Sequence, residues 1–180
     1  MAVDPATVEA LARDHGARVY GFCRQLAPTR CDADDVYQQA FLRLMDMPGT
    51  LRADGNPAGF IMAVAARVWH DEQRKRSRRE RIAPTVDVDD PLAGCEAVAP
   101  GRVEDDVEAE QARRDVRRAV RRLPDKMRVP VLLFYVGGLS VEDVARALGV
   151  PRGTVKSRLN RARGLLRSEL EAMGLSLIHI

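Results

Sequence analysis

The stretch from Gly138 to Arg167 constrains the fold more than any other part of the chain, because its pattern predicts two short helices joined by a tight turn. Ser140 and Asp143 have the spacing of a capping box, which marks the start of the first helix. Gly149 supplies the left-handed residue that ends this helix, and Pro151 opens the second. The pattern is typical of a DNA-binding helix-turn-helix.

The second of these helices carries a one-sided stripe of cations. Six Arg or Lys residues and no acid lie between Arg152 and Arg167, whereas a plain solvated surface helix would normally mix its charges. With Val155, Leu159, Ala162 and Leu166 facing inward, helical periodicity predicts an outward stripe of Lys156, Asn160, Arg163 and Arg167, with Ser157 and Arg161 beside it.

Composition favours an all-α fold. Aromatic residues are scarce and the alternation typical of strands is lacking, while a hydrophobic content of 46% is ample for helices. No run of about 18 apolar residues predicts a membrane span, and the start of the chain lacks a secretory signal pattern, so we expect a cytoplasmic protein without membrane insertion. Three cysteines without a CxxC pair favour reduced thiols over disulfides or a zinc site. Of these, Cys23 is expected in the core, and Cys31 and Cys95 in loops.

The net charge of +3 conceals a strong partition along the chain. Residues 82–111 hold nine acids and one base, whereas residues 112–180 hold 15 bases and six acids. Together with motifs at opposite ends, this favours two small helical domains with separate cores, joined by a flexible acidic linker. The boundaries predicted are 10–81 for the first domain, 82–105 for the linker and 106–172 for the helix-turn-helix domain, with 173–180 as a tail of doubtful origin.

The first domain contains two further marked helices. Asp32 is placed as the N-cap of one, in which Val36, Tyr37, Ala40, Phe41, Leu44 and Met45 are expected to face inward. Asn56 and Pro57 predict the start of the other. That helix becomes strongly basic from Arg74 to Arg81, which suits either a solvated helix end or contact with nucleic acid. Trp69 and His70 one turn earlier favour nucleic acid, since bases stack on aromatic rings. In the second domain, a helix over Lys126 to Tyr135 is expected to be distorted by Pro130.

Three segments in this order resemble the extracytoplasmic-function (ECF) group of bacterial RNA polymerase sigma factors, which hold only regions 2 and 4. Cys31 to Met45 is similar to the family's core-binding helix, Pro57 to Arg76 to its promoter-melting helix, and Leu123 to Leu166 to its final domain. The resemblance covers roughly residues 10–172. It implies a factor that binds core RNA polymerase, directs it to promoter DNA and helps open the downstream element, with an anti-sigma protein as a further partner and no cofactor.

The resemblance also implies roles for individual residues. Polymerase binding would fall to Asp35, Gln38, Gln39, Phe41 and Arg43, although ordinary exposed polar positions remain the alternative. The downstream (minus 10) element would be held by Arg67, Trp69, His70, Arg74 and Lys75. The base edges of the upstream (minus 35) element would be contacted by Lys156, Ser157, Asn160 and Arg161, with Thr154 and Arg158 on phosphates.

Two other classes of protein compete with this interpretation. A stand-alone helix-turn-helix repressor or activator would explain the C-terminal motif, but it would need neither N-terminal segment and would normally show a dimerisation stripe. An enzyme is disfavoured, because the sequence contains no HExxH motif, phosphate-binding loop or serine elbow. We therefore expect neither catalytic residues nor a metal site.

Overall fold

The computed structural model describes residues 4–47, 55–82 and 107–174, and within these ranges the chain folds into helices and turns without any strand. The helices are α1 (Pro5–Leu26), α2 (Arg30–Met45), α3 (Pro57–Ile82), α4 (Val107–Arg122), α5 (Asp125–Val131), α6 (Val141–Leu148) and α7 (Arg152–Ala172), with a π-helical turn at Leu132–Val136 between α5 and α6. The all-α prediction is confirmed. Most of the predicted linker, including Cys95, and most of the tail lie outside the described residues.

Helix α2 begins earlier than its sequence suggested. Thr29, not Asp32, is the N-cap, since the Thr29 hydroxyl accepts a hydrogen bond from the Asp32 amide at 3.1 Å and donates one to the Asp32 carboxylate at 2.7 Å. Asp32 therefore occupies the third helical position, where an acid complements the cap and the helix dipole. Cys31 consequently lies in the first turn of α2 rather than in a loop.

The helix start predicted at Asn56 and Pro57 is confirmed. Asn56 caps α3, because its side-chain oxygen accepts the Gly59 amide at 2.9 Å, and Pro57 is the first helical residue. Helix α1 begins after Asp4 and ends at Leu26, two residues before Pro28. The α1 stripe of Val19, Phe22, Cys23 and Leu26 is buried against α2 and α3.

The distortion predicted at Pro130 takes the form of a π-helical turn. Pro130 lies inside α5 and has no amide hydrogen to donate to the preceding turn. The helix then widens, and the Gly137 amide donates to the Leu132 carbonyl five residues earlier at 2.9 Å. Gly138 follows with a φ of 66°, a left-handed conformation that glycine adopts without strain.

The helix-turn-helix forms as its sequence predicts. The Ser140 hydroxyl accepts the Asp143 amide at 3.1 Å, although the Asp143 carboxylate accepts from that hydroxyl instead of reaching back to the Ser140 amide. Gly149 ends α6 with a φ of 64°, and α7 begins after Pro151. Of the four α7 side chains expected to face inward, Val155, Leu159 and Ala162 are buried, and Leu166 is half-buried.

The two halves of the chain share one cluster of buried side chains, whereas the sequence favoured two separate cores. The cluster runs from Val19 and Phe22 in α1, through Val68 and Trp69 in α3, to Leu132 and the helix-turn-helix. Helices α1 and α3 contact the π-helical turn, α3 packs on α6, and α1 packs on α4. The apolar face of α3 therefore serves both halves at once.

Cys23 provides a probe of this core. Burial raises the pKa of its thiol from 9.0 to about 12, so the folded chain holds the proton more tightly than the unfolded chain. This stabilisation is present in full below pH 9.0 and is lost as the pH rises from there to about 12. Between about pH 9 and pH 11, we expect the free energy of unfolding to fall more steeply with pH in the wild type than in Cys23→Ala. The difference between the two slopes should be up to ~1.4 kcal/mol per pH unit. Urea titrations at each pH measure this difference. Equal slopes in the two proteins would contradict the burial of this thiol.

Candidate functional site

Helix α7 presents most of its predicted DNA-contacting residues to the surface. Lys156, Ser157, Asn160 and Arg161 are exposed, while Thr154 and Arg158 at the edge of the stripe are half-buried. The Ser157 hydroxyl donates to the Thr154 carbonyl at 3.0 Å, which holds the side chain against the helix backbone. The helix buries its apolar side against α4, α5 and α6, and these contacts fix the direction in which the stripe points.

The charge of this stripe is not neutralised within the described part of the chain. Arg152 pairs with Glu142 at 2.6 Å. No described carboxylate forms an ion pair with any of the five cations that follow on α7, which are Lys156, Arg158, Arg161, Arg163 and Arg167. Unpaired cations on one helix face attract a polyanion, and they would release counterions on meeting the phosphates of DNA.

A second basic surface lies at the C-terminal end of α3. His70, Arg74 and Lys75 are exposed, and Lys75 pairs with Glu72 at 2.7 Å. Arg76 forms an ion pair with Asp32 of α2. Arg78, Arg79 and Arg81 extend the surface without a carboxylate partner among the described residues. Three of the five residues assigned to the downstream element are therefore accessible here.

The remaining two, Arg67 and Trp69, are bound to the C-terminal half. The indole Nε1 of Trp69 donates to Asp125 Oδ2 at 3.2 Å, and the ring is only 3% exposed. Arg67 donates from Nε to the Ala147 carbonyl at 3.0 Å and from Nη2 to the Arg146 carbonyl at 3.2 Å. Trp69 is therefore buried, whereas Arg67 stays exposed although its Nε and Nη2 are bonded to carbonyls, and the assignment of both residues to DNA stays a prediction.

Three of the five predicted polymerase-binding residues share the exposed side of α2. Asp35, Gln38 and Gln39 are exposed, whereas Phe41 is half-buried with its ring centroid 4.9 Å from that of Tyr37. Arg43 is also half-buried, and it donates to Asp71 of α3 at 2.9 Å. The structure thus brings together three accessible polar positions, while Phe41 and Arg43 also hold the helix in place.

Two apolar residues on α2 were missed as candidates. Leu42 is 49% exposed, and Met45, which was expected to face inward, is 38% exposed. Leu42 lies one turn beyond Gln38 and seven residues beyond Asp35, so the helical period that grouped the polar residues also places Leu42 among them. With Tyr37, Phe41 and residues of α1, these two side chains line an apolar groove of about 450 Å³.

No group of His, Cys, Asp or Glu in the described ranges is arranged to hold a metal ion. Among the helices that the structure describes, none is both long and apolar enough to cross a membrane.

Both halves of the chain match known protein families. The family description "Sigma-70 region 2" matches residues 11–79, and "Sigma-70, region 4" matches residues 113–166. The ECF RNA polymerase sigma factor SigM of Mycobacterium tuberculosis is 32% identical over 166 residues, which cover 92% of this chain and 78% of SigM. The chain belongs to the ECF RNA polymerase sigma factors.

Other members of this family are similar over nearly the same length. SigE of Mycolicibacterium smegmatis is 31% identical over 167 residues, and the match covers 90% of this ECF sigma factor but only 61% of SigE. Among solved structures, the sigma factor RpoE of Bartonella quintana, crystallised with the anti-sigma factor NepR, superposes with a TM-score of 0.61 at 21% identity. That superposition covers 85% of this chain and 89% of RpoE, and it supports the fold.

The exposed stripe of α7 predicts two different effects of removing a cation. Arg161→Ala should weaken binding of this ECF sigma factor to its preferred duplex about tenfold and relax its preference at one base pair, because a base-edge contact is lost. Arg158→Ala should weaken binding to all sequences alike and lower the salt slope by about one unit, because a phosphate contact is lost. Fluorescence anisotropy on duplexes selected from a random pool measures both effects.

Arg114→Ala is the matched control, because Arg114 is an exposed cation of α4 that pairs with Glu110 at 3.4 Å. Its affinity and salt slope should equal those of the wild type. An Arg161→Ala protein that keeps its full base preference would show that this side chain does not contact the base edges.

Proposed function

We propose that this ECF sigma factor binds core RNA polymerase, directs it to specific promoters and helps separate the strands of the downstream element. The observation that carries the proposal is the accessible side of α2, where Leu42 and Met45 lie exposed beside Gln38 and Gln39. A stand-alone helix-turn-helix regulator would need only the stripe of α7. A second, mixed apolar and polar surface on the other half is what a factor bridging DNA and a protein partner requires.

The polymerase surface in this proposal comprises Asp35, Gln38 and Gln39 with Leu42 at its centre. An exposed leucine among polar side chains loses its contact with water when a partner covers it, and this loss favours association. The contact of the Phe41 ring with Tyr37 and the ion pair between Arg43 and Asp71 hold α2 in position. The known polymerase chemistry needs no catalytic group from this chain, so we propose that it acts by binding alone, in the cytoplasm beside the polymerase.

The DNA surfaces in this proposal are the two basic faces. Region 4, residues 106–172, would bind the upstream element through the base edges met by Lys156, Ser157, Asn160 and Arg161 and the phosphates met by Thr154 and Arg158. Region 2, residues 10–81, would hold the separated downstream strand with Arg67, Trp69, His70, Arg74 and Lys75, by phosphate contacts and stacking.

An anti-sigma protein is the third partner that we propose. RpoE of Bartonella quintana was crystallised in complex with the anti-sigma factor NepR, and the structure of CnrH was solved in complex with the cytosolic domain of CnrY. CnrH superposes with a TM-score of 0.57 at 20% identity over 94% of this chain. The likeness in fold supports a partner of the same class.

Run-off transcription with purified core RNA polymerase on a library of random promoters tests the proposal. New start sites that share an upstream and a downstream element, and that appear only when the protein is added, would establish the function. Co-elution with core polymerase should accompany them. Absence of both would favour the alternative of a stand-alone regulator.

Leu42→Ala and Gln39→Ala should each weaken the binding of core polymerase. For Leu42→Ala we expect the binding free energy for core polymerase to weaken by about 1–2 kcal/mol, because the half-exposed apolar surface that the partner would cover has been removed. Competition with a labelled wild-type chain for core polymerase measures the loss. Gln111→Ala, at an exposed glutamine of α4, is the control and should bind as the wild type does. If either α2 variant also lost affinity for isolated upstream DNA, misfolding rather than a lost contact would be responsible.

A further inference from the structure

A groove of about 430 Å³ lies between α3 and α6. The wall on the α3 side is one helix face with residues three and four apart, namely Asn56, Phe60, Ala63, Val64 and Arg67. The opposite wall belongs to the stretch Gly138 to Ala147. Among the described residues, none of α2 or α7 lines this groove, so it is separate from the proposed polymerase surface and from the proposed upstream DNA surface.

The floor of the groove is apolar. Val64 and Ala147 are buried, and Phe60, Ala63 and Leu139 are half-buried against the core. Water over such a floor is released when an apolar molecule covers it, and this release favours binding. The volume falls within the range of about 300–1,000 Å³ that is typical of small-molecule sites. The groove therefore has the size and the floor of a small-molecule site.

The main acceptors at the rim are already bonded within the protein. Asp143 uses both carboxylate oxygens, since Oδ2 accepts from the Ser140 hydroxyl at 2.6 Å and Oδ1 accepts from Arg146 Nη2 at 2.7 Å. The Asn56 side chain is also engaged, because its Nδ2 donates to the Gly137 carbonyl at 2.8 Å. A ligand that must donate hydrogen bonds finds these acceptors occupied.

The donors at the rim keep spare capacity. A guanidinium carries five N–H groups. Arg67 uses one on the Ala147 carbonyl at 3.0 Å and one on the Arg146 carbonyl at 3.2 Å, and Arg146 uses one on Asp143. Within the described ranges no further acceptor bonds either side chain, and both are exposed. Spare guanidinium N–H groups suit a carboxylate, because the planar fork matches its two oxygens.

We propose that this groove binds an amphipathic carboxylate of the medium-chain fatty acid type. Its carboxylate lies at Arg67 and Arg146, and its hydrocarbon chain lies over Phe60, Val64 and Leu139. The apolar floor selects the hydrocarbon, and the cationic rim selects the negative charge. The inference goes beyond the proposed function, because binding of polymerase or promoter DNA requires no such ligand.

The apolar groove between α1 and α2 provides a contrast within the same chain. Its volume of about 450 Å³ is similar, and its lining is apolar as well. Glu9 is the one charged residue that lines it in the part of the chain that the structure describes. A carboxylate is repelled by Glu9, so charge distinguishes the two grooves although size does not.

Decanoate is the probe for the first test. Isothermal titration calorimetry on the full chain, below the micelle-forming concentration of decanoate, should show saturable binding of one molecule per chain. Octanoate should bind about tenfold more weakly, because two fewer methylene groups are buried. Acetate keeps only the head group and decyltrimethylammonium inverts its charge, so neither should bind. Equal affinity for decanoate and decyltrimethylammonium would overturn the proposal.

Two arginine substitutions test the rim. Arg67→Ala should weaken decanoate binding about tenfold, because charge-assisted hydrogen bonds are lost. Arg146→Ala should weaken it about two- to fivefold, because this side chain is more exposed, and it leaves in place the backbone carbonyl that Arg67 uses. Arg13→Ala is the matched control, since Arg13 is an exposed cation of α1 that pairs with Asp14 at 3.5 Å. Wild-type affinity in both rim variants would refute the assignment.

Ala63→Leu tests the floor without changing a charge. The larger side chain occupies space that the hydrocarbon needs, so decanoate binding should weaken at least about tenfold while far-ultraviolet circular dichroism stays unchanged. Ala17→Leu is the matched control, because Ala17 is exposed on α1. A folded Ala63→Leu protein that binds decanoate as the wild type does would contradict the proposal.

Intermolecular nuclear Overhauser effects locate the ligand. In protein with carbon-13-labelled methyl groups, the decanoate chain should contact the methyls of Val64, Leu139 and Ala147. Contacts with Val8 or Leu42 instead would place the ligand between α1 and α2 and would overturn the proposal. Run-off transcription without decanoate is a separate readout, so the ligand site can fail while the sigma function holds, and the converse.

Discussion

The hydrogen bonds from Asn56 to the carbonyls of Gly137 and Gly138 set the relation between the two halves of the molecule. One amide side chain starts α3 and fixes the backbone that leads into the helix-turn-helix. Gly59 permits the approach, and the buried apolar side of α3 then covers both halves. The position of Arg67 over the end of α6 follows from the same arrangement.

The cations of the chain fall into two groups, one that holds the fold together and one that is available to bind partners. Arg18, Arg67, Arg121 and Arg128 each donate to a backbone carbonyl of the opposite half, so these cations are used within the molecule. The cations of α7 and of the end of α3 point outward, where within the described ranges few of them meet a carboxylate. Arginine suits both tasks, because its planar fork bonds carbonyls as well as phosphates.

Local signals in the sequence predicted the helices. The features that the sequence did not predict depend on contacts between residues far apart in the chain. Ser140, Gly149 and Asn56 mark helix ends because caps depend on residues within one turn. The α2 cap was misassigned because Thr29 and Asp32 are both good caps, and only their reciprocal hydrogen bonds distinguish them. Periodicity could not show that part of the apolar side of α3 packs on a segment about 80 residues away. Hence Arg67 and Trp69 were assigned to DNA with no sign of their partners in the fold.

The π-helical turn at Leu132–Val136 offers a simple means of redirecting the helix-turn-helix of this chain. A π-helical turn accommodates one more residue than an α-helical turn, and each residue of an α-helix advances the chain by about 100°. Deleting one residue here would restore the tighter spiral and swing α6 and α7 about the axis of α5. Over evolution, a single codon gained or lost in this turn could change the direction in which α7 points while leaving every side chain of its exposed stripe unaltered.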